Sequence, residues 1–124
     1  MPINRTRAIA GSASTGSSIS ITLPSAPVSD QVAVLQIGIN SGTSARVSSI
    51  SQTGVTWTKQ VEAYYSGQVG METWVGVVGA GAGTGITITL AASLTAVAHY
   101  AEYSGVDTSS PVVATGSSID DAGL

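Results

Sequence analysis

Gly85-Ile86-Thr87-Ile88-Thr89-Leu90 decides the fold, because apolar and small polar side chains alternate along it with a period of two. Alternation of this kind places one set of side chains on a buried sheet face and the other set in water. The same pattern runs through Ile19 to Leu23 and through Gln31 to Asn40. No segment carries a convincing period of 3.6 residues, so the sequence predicts an all-β protein.

The turn signals predict roughly nine or ten short strands, which is typical of a two-layer antiparallel β-sandwich or a jelly roll. Ile86 to Leu90 and Thr95 to Ser104 are predicted as separate strands, as are Val55 to Lys59 and Val61 to Ser66. The last of these is expected to form a hairpin with Met71 to Val78.

A final strand is predicted at Val112 to Ser117. Residues 18–118 therefore form the β-sandwich domain, preceded by an N-terminal arm with a possible edge strand (residues 1–17) and followed by a tail (residues 119–124). The two layers of the sandwich are expected to enclose one core, which contains the apolar residues Leu35, Ile37, Ile86, Ile88, Leu90 and Val97.

The composition restricts the function more than it defines it. The chain has 124 residues, 9% of them charged, a net charge of −3 and only four basic residues. A chain with no basic stripe is not expected to bind nucleic acid. Cysteine is absent, which excludes disulfides and thiolate metal sites. Such low charge predicts extensive contacts with other subunits or a surface rich in Ser and Thr.

No apolar run approaches the roughly 18 residues that a membrane-spanning helix needs, so membrane insertion is not expected. Met1 to Arg7 is basic, but no apolar stretch follows it, and we expect no secretory leader. The composition is nevertheless typical of an extracellular protein. A virion protein reconciles the two observations, because it is made in a cytoplasm and acts outside it.

Two tryptophans and two glutamates are the first candidates for a functional site. Trp57 and Trp74 are candidates for glycan contact as a sugar-stacking platform, although we favour burial in the core or at a sheet edge. Glu62 and Glu72 fall on adjacent hairpin strands, where a carboxylate pair could serve glycoside hydrolysis. We favour a solvated face for both, with Lys59 as a charge partner.

The remaining candidates do not form a catalytic or metal-binding set. His99 is the only histidine, so we expect no catalytic triad, no multi-histidine metal site and no cofactor. Asp107 is expected to close an Asx-type turn before Ser109. The loop Gly79 to Gly85 lacks the features of a phosphate-binding loop, and we expect it to be mobile or packed against another subunit.

Three segments carry a resemblance to a known module: Gly54 to Lys59, Glu72 to Val78, and Ala101 to Asp107 followed by Ser110-Pro111. They resemble the jelly-roll-like β-sandwich module of phage virion structural proteins and of prokaryotic surface proteins. The likeness spans Ser18 to Ser118 and implies no catalytic residues. It also implies more strands after Pro111 than the chain supplies.

The favoured hypothesis is a structural, non-enzymatic virion component (a capsid decoration, head-fibre or tail-associated subunit) that contacts copies of itself and other virion proteins. The alternatives are a subunit of an extracellular filament or surface layer, completed by strand addition, and a carbohydrate-binding module. Arg5 and Arg7 lie in the Met1 to Ile9 arm, which has little to build a strand of its own. We expect one terminus to lie on a neighbouring subunit.

Overall fold

The structure, a computed structural model, describes residues 3–9, 13–41, 46–65 and 68–112. Within these residues there are seven strands and no helix, so the all-β prediction is confirmed. Every strand pairing is antiparallel, and all seven strands belong to one sheet. The strands are β1 (Asn4–Ile9), β2 (Ala13–Thr22), β3 (Val32–Ile39), β4 (Val47–Ser51), β5 (Val55–Tyr65), β6 (Val69–Val78) and β7 (Gly85–Ser104).

β7 is the central strand, and it pairs with four others. One of its edges carries β1 and β2 in succession, and the other edge carries β3 and β4. β6 pairs with β3, and β5 pairs with β6. The prediction of two separate strands at Ile86 to Leu90 and Thr95 to Ser104 is therefore wrong, because one strand of 20 residues covers both.

β7 turns a corner between its two halves. Along β2 the pairing advances two residues, from Gly16 to Ser18, while along β7 it jumps from Leu94 to Thr89. Of the extra residues of β7 at this point, Ala91, Ala92 and Ser93 are exposed in succession, so the alternation of buried and exposed positions breaks there. A strand that carries such an irregularity bends, which is how a sheet changes direction at a corner.

The corner brings both parts of the sheet against a common apolar core. One cluster of buried residues includes Ile86 and Ile88 of the first half of β7, and Ile19 of β2, which pairs with Ile88. The same cluster includes Leu35 and Ile37 of β3, which pair with the second half of β7. The ladder itself gives one folded sheet and not two separate layers. The two-layer and jelly-roll parts of the prediction remain predictions.

Five of the six predicted core residues are buried, namely Leu35, Ile37, Ile86, Ile88 and Leu90. Val97 is 50% exposed, so its placement in the core is wrong. The neighbouring Ala96 and Ala98 point inward instead, because they pair with Ile39 and Ile37, whose larger side chains already fill that part of the core. Val97 lies on the opposite face, which we call the outer face.

The β5–β6 hairpin is present as predicted, with Tyr65 paired to Val69. Val55 to Lys59 and Val61 to Ser66 were expected as two strands, but β5 runs continuously from Val55 to Tyr65. A register shift between Lys59 and Val61 is the only trace of the predicted break. Hydrogen bonding to β6 on both sides of this shift keeps the strand continuous.

The N-terminal arm forms a strand within its own chain. Residues Asn4–Ile9 pair with the C-terminal half of β7, so the expectation that this stretch has little to build a strand is wrong. The predicted strand from Val112 to Ser117 lies, beyond Val112, outside the described residues, as does the tail at residues 119–124. Whether a terminus contacts a neighbouring subunit remains a prediction.

Replacing Leu35 or Ile88 by Ala should lower the free energy of unfolding by about 2–5 kcal/mol, because both side chains are fully buried and the surroundings relax only partly around the cavity. Val97→Ala is the matched control and should change stability by less than about 0.5 kcal/mol. Urea denaturation followed by circular dichroism measures all three. A loss at Val97 as large as that at Leu35 would contradict the assignment of the two faces.

Candidate functional site

Glu72, on β6, is fully buried, and its carboxylate accepts three hydrogen bonds. Tyr64 Oη donates to Oε2 at 2.5 Å, the Val47 backbone N–H donates to Oε2 at 3.1 Å, and Trp74 Nε1 donates to Oε1 at 3.0 Å. Tyr64 Oη also accepts a bond of 3.3 Å from the backbone N–H of Arg46. A buried carboxylate costs much free energy unless donors of this kind satisfy it.

This cluster joins parts of the sheet that the ladder does not join. Val47 begins β4, which pairs with β7, whereas Glu72 lies on β6, which does not pair with β7. The backbone N–H groups of Arg46 and Val47 therefore end on side chains of β5 and β6. Glu72 and Tyr64 fix how far the sheet folds over its core.

Glu102 is the second buried carboxylate, and it holds the N-terminal strand. Arg7 forms a salt bridge with Glu102 Oε1 through Nη2, and its Nε donates to the same oxygen at 3.2 Å. Tyr100 Oη donates to it at 2.5 Å. Arg7 Nη1 also donates to the backbone oxygen and the hydroxyl of Ser25, both at 3.0 Å. These bonds tie β1 to β7 and to the loop before β3.

Burial, together with a hydrogen bond to a buried carboxylate, raises the pKa of two tyrosines. The pKa of Tyr100 is raised mainly by burial and further by its hydrogen bond to Glu102. The pKa of Tyr64 is raised by burial and by its bond to Glu72. Both phenols therefore stay protonated and serve as hydrogen-bond donors, which suits a structural role better than acid–base exchange near neutral pH.

The prediction of a solvated face for Glu72 is wrong, and that for Glu62 is nearer to the structure. Glu62 is the register partner of Glu72, is half-buried, and forms an ion pair with Lys59 at 3.3 Å. The sequence signal for the buried site was Trp74, an aromatic donor two residues from Glu72, together with Tyr64 eight residues away in the same predicted hairpin.

The two tryptophans take different positions. Trp57 is 9% exposed, packs edge-on against Tyr100 with ring centroids 6.4 Å apart, and donates to Gln52 Oε1 at 3.1 Å. Trp74 is half-buried and uses its indole N–H for Glu72. The Trp57 ring, enclosed in the core, offers no platform for a sugar. Core packing, the favoured interpretation, describes Trp57.

The other candidates lie apart from one another. His99 is exposed on the outer face of β7. Asp107 closes an Asx-type turn, because its Oδ1 accepts from the Ser109 N–H at 2.9 Å. In the Gly79 to Gly85 loop, the Gly79 N–H donates to Gly54 and the Gly83 N–H to Thr53, so this loop packs on its own chain.

The outer face carries an apolar groove of about 620 Å³ near the β5–β6 hairpin. We call it the outer groove. Among the described residues that line it none is charged, and Val69, Met71 and Val97 are each at least half exposed. Its principal lining residues are Gly38, Ala63, Tyr65, Val69, Met71 and Val97.

Gly38 forms an empty position in the outer groove. Two inner-face strand glycines lie beneath aromatic rings of their own chain: a Cβ at Gly70 would overlap the Tyr64 ring, and one at Gly76 would lie 2.9 Å from Trp57. A Cβ at Gly38 would meet only Val97 Cγ1, at 3.4 Å, and its strand pairings are regular. A strand glycine without a bulge often marks the close approach of another group.

No group of three or more potential metal-ligating side chains occurs among the described residues. The same part of the chain contains no helix that is long and apolar enough to cross a membrane. No known protein family, curated protein or solved structure matches the chain.

Glu72→Gln should lower the free energy of unfolding by about 1–3 kcal/mol, since an amide presents an N–H to donors that need an acceptor. Glu62→Gln removes the same charge from the register partner and should cost no more than about 1 kcal/mol, because its ion pair is half exposed. Equal losses in urea denaturation would show that Glu72 is not held by its donors.

Stability should fall as the pH rises above about 10, because the unfolded chain then releases the Tyr100 proton and the folded chain retains it. The raised folded-state pKa means that this contribution is complete below the ordinary tyrosine pKa and is lost above it. Tyr100→Phe should flatten the decline by up to about 1.4 kcal/mol per pH unit. Chemical denaturation from pH 8 to 11 (roughly the range bracketing the tyrosine pKa) measures it, and an unchanged slope would contradict the assignment.

Proposed function

We propose that the chain is a structural, non-enzymatic subunit that assembles through repeated contacts between copies of itself, as a virion component such as a capsid decoration, head-fibre or tail-associated protein. The observation that carries this proposal is the outer groove. Its uncharged lining and its half-exposed apolar side chains are typical of a protein-contact surface. Covering such side chains contributes a favourable free energy of roughly 25 cal/mol for each Å² of apolar surface removed from water.

The shape of the outer groove supports a second copy of this chain as the occupant. It contains both projecting side chains, Met71 and Val97, and the empty position at Gly38 between them. A surface that has both projecting side chains and a hollow can pack against a second copy of itself across a two-fold axis, with the projecting side chains of each copy in the hollow of the other. The chain has a net charge of −3, and an uncharged patch lets two like-charged copies meet without close repulsion.

In the strand order β1-β7-β3-β6-β5, the two outermost strands favour contact through this face over strand addition, whereas β2 and β4, which pair with β7 alone, carry no charged residue. β1, one edge, carries Arg5 and Arg7 with a register shift between them. β5, the other edge, carries Lys59 at its own register shift. Charged side chains and irregular pairing on an edge strand discourage the addition of a further strand.

The buried acids support a structural role as well. Glu72 and Glu102 are both occupied by hydrogen bonds that hold strands together. Glu102 lines a cavity of about 220 Å³ together with Arg7, but its Oε1 already accepts hydrogen bonds from Arg7 and Tyr100. This arrangement supports assembly over catalysis.

A subunit of an extracellular filament or surface layer is the second candidate, since it would use the same outer groove. Electron microscopy of the particles or filaments that contain the chain separates the two. Mass spectrometry of the natural protein adds a second criterion, because a removed leader favours the extracellular filament. A carbohydrate-binding module based on Trp57 has no support from the position of that ring.

Met71→Glu should weaken self-association by about tenfold or more, because it places like charges opposite each other where the outer grooves meet. Gly38→Val should do the same without a charge by filling the empty position. Val28→Glu is the control, since Val28 is 60% exposed and lies outside the outer groove.

Sedimentation equilibrium over a range of concentrations measures all three variants against the wild type. A wild type that stays monomeric at every concentration contradicts the assembly proposal. Variants that associate as the wild type does contradict the role of the outer groove.

A further inference from the structure

A second cavity on the outer face, of about 210 Å³, differs from the outer groove in its chemistry. We call it the outer pit. Its lining includes one cationic side chain and three more that donate hydrogen bonds, around two small apolar residues. The lining residues are Arg5, Val34, Gln36, His99, Ala101 and Tyr103.

Three adjacent strands build the outer pit in register. Arg5 on β1 pairs with Tyr103 on β7, and Gln36 on β3 pairs with His99 on β7. Between these rows Ala101, itself 7% exposed, forms the floor with Val34. Positions 99, 101 and 103 share one sheet face because side chains alternate along a strand. The site therefore rests on paired strands and not on a loop.

The outer pit has a charge that nothing in it balances. In the part of the chain that the structure describes, the ion pairs are Arg7–Glu102 and Lys59–Glu62, and neither includes Arg5. Among the described residues, no carboxylate lines the cavity. Glu102, the acid nearest in sequence to its β7 residues, is turned into the protein interior with Tyr100 and Arg7.

We propose that the outer pit binds a small carboxylate-bearing molecule. The guanidinium of Arg5 presents a planar pair of donors that matches the two oxygens of a carboxylate. Gln36, His99 and Tyr103 supply hydrogen bonds to neighbouring polar groups of the ligand, and Ala101 and Val34 contact its carbon atoms.

The size and charge of the cavity favour this class of ligand. Its volume of about 210 Å³ is enough for a sugar acid or a ligand of similar size. Arg5 contributes one permanent positive charge, which balances a carboxylate. A phosphate, with a charge of about −1.5 to −2 when monoesterified, is left partly uncompensated by a single arginine. The inference is independent of the assembly through the outer groove.

Nuclear magnetic resonance titration of the ¹⁵N-labelled full chain tests the proposal with glucuronate as the probe. Glucose is the uncharged control of similar size, and inorganic phosphate is the anion control. Glucuronate should shift the amide signals of β1, β3 and β7 around Arg5, Gln36 and His99 in a saturable manner. Glucose and phosphate should shift them at least about tenfold less readily. Equal shifts with either control, or no saturation with glucuronate, would overturn the proposal.

Arg5→Gln should weaken glucuronate binding by about tenfold or more, since it removes hydrogen bonds to a charged group. Lys59→Gln is the matched control, because it removes the same charge from β5, outside the outer pit. Dispersed amide spectra establish that each variant is folded. Undiminished binding in Arg5→Gln, or an equal loss in Lys59→Gln, overturns the assignment to this cavity.

Discussion

The bent central strand β7 is the constraint on which the rest of the structure depends. Four of the other six strands hydrogen-bond to it directly, two along each edge, and β6 and β5 follow through β3. Because the buried positions on both sides of the corner belong to the same face, one bend turns a single sheet into the enclosure of one core. A straight strand of this length would leave that apolar face in water.

The two buried glutamates hold strands of the bent sheet together through side-chain hydrogen bonds. A backbone ladder cannot join β4 to β6, since the two strands belong to different parts of the folded sheet. Glu72 makes the connection by accepting the Val47 N–H while it holds Tyr64 and Trp74. Glu102 instead strengthens a pairing that the ladder already makes, because it holds Arg7 of β1 against β7. A buried charge is costly unless its hydrogen bonds are made. Other geometries would leave these two carboxylates without donors, so their burial favours the observed geometry.

The inner and outer faces of the sheet therefore have different roles. The inner face carries the aliphatic core and the glutamate clusters, and its strand glycines lie beneath Tyr64 and Trp57. The outer face keeps an open glycine at Gly38, half-exposed apolar side chains, and Arg5, which belongs to neither ion pair of the described residues. The proposed contacts with other molecules follow from this asymmetry, because the outer face presents the exposed apolar side chains and the Arg5 guanidinium.

The sequence by itself determined the all-β class, the β5–β6 hairpin and most of the core, because the two-residue period is a local property of strands such as Gly85 to Leu90. It misplaced Val97, since Thr95 to Tyr100 offers two alternating faces, and only the pairing of Ala96 and Ala98 with the large residues of β3 selects between them. It also placed Glu72 in water, where an isolated carboxylate belongs. Only the tertiary structure brings donors from three strands to that carboxylate, and this convergence of groups distant in sequence is what makes its burial favourable.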